Sequence, residues 1–173
     1  MAPTSTPLTD PFFIKANILI DRNGHARLAD FGFLTIVSDP VNPTASSSLT
    51  TIGGTVRWMS PELLDPERFY PKHGRPTKES DCYAFGMVIY EVLSGQAPFA
   101  PFSVMVVMRK VIDGERPERP EGAVGLWFTD DLWETIYMCW GTQPRSRPSV
   151  DTVLEHLEQA SGTVFFVGHL RRQ

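Results

Sequence analysis

Residues 17–32 read Asn-Ile-Leu-Ile-Asp-Arg-Asn-Gly-His-Ala-Arg-Leu-Ala-Asp-Phe-Gly. Two short apolar runs, Ile18–Ile20 and residues 26–29, flank Asn23-Gly24. Asn-Gly accepts the positive φ of a tight turn, so the pattern predicts a β-hairpin. A hairpin folds its ends together, which sets the amide of Asn17 beside the carboxylate of Asp30. Two hard oxygen donors at one end of a hairpin suit a magnesium ion carrying phosphates.

The rest of the chain predicts helices. Residues 80–95 form an apolar run that Ser80 or Asp81 would cap and Gly95 would end. It is apolar nearly all round, which places it at the centre of a core. Apolar spacing predicts further helices over residues 102–113, 130–140 and 150–159. Ser60-Pro61-Glu62 reads as a helix start, with Ser60 as cap and Pro61 at the first helical position. Residues 63–79 read as a polar loop and residues 116–120 as a Pro-stiffened extended connection. Residues 1–11, rich in Pro, Thr and Ser, read as a disordered arm. Residues 161–173 read as a tail whose apolar part, 163–167, could dock or form a short strand.

In that order, five motifs resemble the large lobe of a protein kinase. They are N-I-L-I-D with L-A-D-F-G, then G-T-V-R-W-M-S-P-E, D-C-Y-A-F-G, G-Q-A-P-F and C-W-G-T-Q-P-R-S-R-P-S. The last is the form found in tyrosine kinases and the tyrosine-kinase-like serine/threonine kinases, while Gly54-Thr55 is the serine/threonine form. The resemblance covers residues 14–160, with residues 1–13 as an arm and 161–173 as a tail. It implies a mainly α fold with one small β-hairpin, the large lobe of a parent α+β fold whose small lobe is absent.

The resemblance also assigns roles. It implies ATP and Mg²⁺ as cofactors, with Asn17 and Asp30 as metal ligands and Leu19 in the apolar floor under the adenine. Thr55 and Trp58 would seat the protein substrate, Thr55 through the catalytic Asp and Lys of the family. Asp81 would be a buried carboxylate bonding the catalytic-loop backbone, unless it is a plain helix cap. Arg147 would form a buried ion pair with Glu62, 85 residues earlier. Residues 33–55 resemble an activation segment, in which Ser46, Ser47, Ser48, Thr50 and Thr51 are candidate phosphosites or simply part of a solvated loop.

The sequence departs from the family at the catalytic loop. The catalytic Asp should stand five residues before Asn17, and that position is Phe12. No G-x-G-x-x-G occurs in the chain. These departures predict an N-terminally truncated kinase domain that is not catalytically competent by itself. One alternative is a non-catalytic, pseudokinase-type interaction module. Another is a longer protein whose start has been replaced by residues 1–13 through an error of gene prediction.

The resemblance implies a protein substrate or binding partner, and composition argues against the other classes. A net charge of −4, with Glu115, Glu118 and Glu121 offsetting the arginines near 116–119, argues against a nucleic-acid groove. No run is long and apolar enough for a membrane span, and no signal peptide is visible, so the expected setting is cytoplasmic with the nucleus as the alternative. Cys82 and Cys139 read as buried free thiols, with one disulfide left open. The substrate and the oligomeric state are not legible.

Overall fold

A computed structural model describes residues 18–20, 26–28, 56–69, 76–122 and 127–170. The chain divides into two units, Met1–Ser46 and Ser47–Gln173. In the first, β1 (Ile18–Ile20) pairs antiparallel with β2 (Ala26–Leu28) in the register Ile18 to Leu28, Leu19 to Arg27 and Ile20 to Ala26. The expected Asn23-Gly24 turn lies outside the described residues.

The described part of the second unit is helical. A 3-10 turn (Val56–Trp58) leads into two short helices, α1 (Pro61–Leu64) and α2 (Pro66–Phe69). The long helix α3 (Lys78–Ser94) follows, then α4 (Val104–Ile112), α5 (Asp130–Cys139), a 3-10 turn (Pro144–Ser146) and α6 (Val150–Leu170). The expected loop at 63–79 thus holds α2 and the first residues of α3. The expected tail continues α6 to Leu170.

Helix α3 starts three residues before the position that the sequence suggested. Thr77 is its cap: the Thr77 hydroxyl accepts from the Ser80 N–H at 3.2 Å, and the Ser80 hydroxyl accepts from the Thr77 N–H at 2.8 Å. This reciprocal pair satisfies two donors that a helix start leaves free. Ser80 and Asp81 therefore lie inside the first turns. The other end is as expected, because Gly95 adopts φ 69° and its N–H bonds to Glu91 O. That left-handed conformation costs glycine little.

The core forms where α3 meets α5 and α5 meets α6. Tyr83 and Met87 on α3, Ile136 on α5 and Val107 and Val111 on α4 are fully buried. Gly86 makes the α3–α5 approach possible. A Cβ on it would lie 2.8 Å from Cys139 Cβ and 2.9 Å from Trp140 Nε1. Around this contact Trp133 meets Trp140 edge-on at 5.8 Å, and Tyr90 tilts against Phe128 and Trp140 at 5.8 and 5.9 Å. Such aromatic pairs each contribute about 0.5–1.5 kcal/mol beyond their area. The other face of α3 stays partly open: Phe85 is 38% and Val92 46% exposed. All-round apolarity measures how much a helix could bury, whereas its neighbours decide which face is covered.

Candidate functional site

The described part of the site is the segment from Val56 to Glu62 and the frame that holds it. Two of its side chains reach across the fold. Arg57 donates through Nη1 to Pro98 O at 2.9 Å and through Nη2 to Phe102 O at 2.5 Å. The buried Trp58 indole donates to Glu91 Oε2 on α3 at 3.0 Å. Trp58 therefore braces the segment from within. Ser60 occupies the cap position of α1, but its side chain makes no capping bond. Instead its carbonyl accepts from the Leu63 and Leu64 N–H groups, and its buried hydroxyl has no partner among the described residues.

Glu62 follows in the first turn of α1. Arg147 grips its carboxylate with two parallel bonds, Nη1 to Oε1 at 2.6 Å and Nη2 to Oε2 at 2.8 Å. The same guanidinium donates to Glu79 O and to Gly141 O, both at 2.8 Å. One side chain thus links α1, the start of α3 and the end of α5. Both partners are buried, Arg147 7% and Glu62 5% exposed. A planar fork suits this task because it matches the two oxygens of a carboxylate.

Beneath the pair lies Tyr83. The Arg147 and Arg116 guanidinium carbons stand 5.1 and 5.2 Å from its ring centre. Burial pushes its phenol up to about 12, with Arg116 and Arg147 opposing the rise and Glu62 adding to it. The Tyr83 hydroxyl has no hydrogen-bond partner among the described residues. Arg116 is itself held by Trp140 O at 2.9 Å, Val111 O at 3.2 Å and Glu115 O at 2.7 Å. Neither Arg57 nor Arg116 was foreseen in these roles. Their carbonyl partners lie up to 45 residues away and leave no local pattern.

Asp81 differs from both expectations. It is neither the cap of α3 nor buried; its side chain is exposed, and partial desolvation raises its carboxyl above the usual carboxylate value. The Thr77–Ser80 box takes the capping role. Leu19 lies at the centre of β1, paired with Arg27. Phe12, Asn17, Asp30, Ser46, Ser47, Ser48, Thr50, Thr51 and Thr55 lie outside the described residues. Among the described residues, no cluster of His, Cys, Asp or Glu could hold a metal ion, and no helix is long and apolar enough to cross a membrane.

A cleft of about 580 Å³ opens between α4 and the extended stretch 115–121, lined in part by Tyr90, Phe99, Phe102, Lys110 and Arg116. Its cations are engaged: Lys110 with Glu115, Arg116 with backbone carbonyls and Arg119 with Asp130.

The frame of the described residues is that of a kinase large lobe. A family model described as protein tyrosine and serine/threonine kinase matches residues 13–157, and the chain belongs to this family. It is 32% identical over 155 residues to a probable serine/threonine-protein kinase of Dictyostelium discoideum, covering 87% of this chain and 15% of that protein. It is 32% identical over 142 residues to receptor-interacting serine/threonine-protein kinase 3 of Rattus norvegicus, covering 78% and 27%. With the serine/threonine-protein kinase VIK of Arabidopsis thaliana it shares 33% identity over 141 residues, covering 81% and 29%. The chain spans less than a third of the length of each of these relatives.

Proposed function

We propose that these residues form the large-lobe part of a protein serine/threonine kinase domain, and that the 173-residue chain does not transfer phosphate by itself. The first half rests on the buried Arg147–Glu62 fork, which clamps the end of the Gly54–Glu62 stretch to the helical frame. In the proposed reaction the γ-phosphoryl of MgATP passes to a protein Ser or Thr hydroxyl. Asn17 and Asp30 would supply an amide oxygen and a carboxylate, a donor set that suits magnesium. The bound metal would neutralise charge on the phosphates. Thr55 would sit at the substrate side, with Trp58 bracing the segment from below.

The second half rests on Phe12. A phenyl ring cannot accept the hydroxyl proton, and the chain offers no G-x-G-x-x-G to cover the phosphates. Phosphoryl transfer depends on positioning and electrostatics, so losing these parts is a large loss.

Two measurements test the two halves. Incubated with MgATP and a mixed Ser/Thr peptide library, the chain should transfer no more label than its Asp30→Asn variant. Asp30-dependent transfer would overturn the second half. A chimera that joins a related kinase's small lobe and H-R-D loop to residue 17 should transfer label to Ser and Thr. A folded chimera without transfer would overturn the first half. That outcome would favour the alternative reading, a non-catalytic pseudokinase-type module that binds a protein partner, to which Phe12 also points.

A further inference from the structure

The motifs leave one pair of nucleophilic side chains unused. Cys82 lies in the second turn of α3 and Cys139 is the last residue of α5. The helices that carry them meet at Gly86, one turn after Cys82, where a Cβ would stand 2.8 Å from Cys139 Cβ. Both cysteines are free thiols, Cys82 half-buried and Cys139 fully buried. We propose that Cys82 and Cys139 form a reversible intramolecular disulfide, a redox-modification site that ties α3 to α5.

The two thiols have the unlike properties that such a pair needs. The neighbouring Cys139 thiol holds the Cys82 thiol below its ordinary value, with Arg147 helping and burial and Glu79 opposing. Cys139 is pushed up, first by Cys82 and then by burial. Cys82 is therefore the more accessible, more acidic sulfur that an oxidant meets first, and Cys139 is the shielded sulfur behind it.

With hydrogen peroxide as oxidant, the Cys82 thiolate attacks one peroxide oxygen. The O–O bond breaks, giving Cys82 sulfenic acid and, after protonation, one water. The Cys139 sulfur then attacks the sulfenic sulfur, its proton leaves with the hydroxyl as a second water, and the S–S bond forms. Two thiols lose two electrons and two protons in total, and one peroxide becomes two waters. The bond would brace the end of α5 from which Gly141 O reaches Arg147, so oxidation would stiffen the frame around the Glu62 fork.

The test is differential alkylation and mass spectrometry of the full chain treated with hydrogen peroxide. The expected product has lost the mass of two hydrogens, resists alkylation at both cysteines after denaturation, and yields a crosslinked Cys82–Cys139 peptide. Dithiothreitol should return both thiols, and the oxidised chain should melt higher than the reduced one. Cys82→Ser should abolish the crosslink while leaving the buried Cys139 in place. The proposal is overturned if Cys82 accumulates as sulfinic acid while Cys139 remains alkylatable. A disulfide that joins two chains, seen as a dimer on a non-reducing gel, overturns it equally.

Discussion

Glu62→Gln is the sharpest test of the frame, because it preserves volume while removing a charge. In the native protein Arg147 makes four bonds, two to Glu62 and one each to Glu79 O and Gly141 O. The substitution leaves a guanidinium whose side chain is 0% exposed without its counter-charge. It also turns one carboxylate oxygen into an amide donor facing an N–H. Breaking one partner of a buried pair costs about 3–5 kcal/mol. For a chain of this size each kcal/mol lowers Tm by about 2–4 °C, so the expected fall is about 6–20 °C. That is a large share of the ~5–15 kcal/mol that holds a typical domain together. Urea unfolding would read it as a lower midpoint at an unchanged slope. The double variant Glu62→Leu/Arg147→Met removes both charges and should be more stable than Glu62→Gln alone. It should not reach the native value, because Glu79 O and Gly141 O lose their donor at a cost of about 1–3 kcal/mol each. A Glu62→Gln cost below about 1 kcal/mol, the worth of an exposed pair, would refute the reasoning.

Three further variants give expected outcomes. Tyr83→Phe removes a buried hydroxyl that has no partner among the described residues, so stability at neutral pH should hold or rise by about 1 kcal/mol. The same variant tests a pH dependence. With a phenol raised to about 12 in the fold against 10 when unfolded, the native protein keeps a proton that the unfolded chain gives up. Stability is therefore full below pH 10 and falls as pH rises towards 12, by about 2–3 kcal/mol, and the Tyr83→Phe variant should lack that part of the fall. Gly86→Ala drives a methyl into Cys139 and Trp140, and thermal melting should show a loss of about 1–3 kcal/mol. Thr77→Ala removes the acceptor for the Ser80 N–H and should cost about 1 kcal/mol by the same measurement.

What could be read in advance depended on whether a residue's partner was local or carried by a motif. The stop of α3 was legible, since Gly95 alone signals a left-handed end. The Arg147–Glu62 pair was legible only through the resemblance, because spacing says nothing about residues 85 apart. The start of α3 was misread for a physical reason. The capping box here uses two hydroxyls, Thr77 and Ser80, so the last residue of the box was taken for its first. Helix α6 was cut short at 159 because the apolar run 163–167 was read as part of a tail, able to dock or to form a short strand. A helix already formed extends residue by residue more cheaply than a new element starts. Of the site, the frame pair Glu62 and Arg147 came into view; Trp58 was read only as seating a substrate, not as bonding Glu91, and Arg57 and Arg116 act through carbonyls that no side-chain pattern encodes.

The two arginines that escaped notice complete the logic of the one that did not. Arg147 ties α1 to the start of α3 and the end of α5; Arg57 ties the turn before α1 to the stretch leading into α4; Arg116 ties the end of α4 to Trp140. Each donates to backbone carbonyls, and those of Val111 and Trp140, at the ends of α4 and α5, are among the acceptors that helix ends leave unsatisfied. The segment from Val56 to Glu62 is thus fixed at both ends by charge-assisted bonds, independently of any group that would react there. The bonds of this frame described above all run between residues 57 and 147 of the helical unit. Stability measurements on Glu62 and Arg147 therefore report on this frame, and only the activity assays report on phosphate transfer.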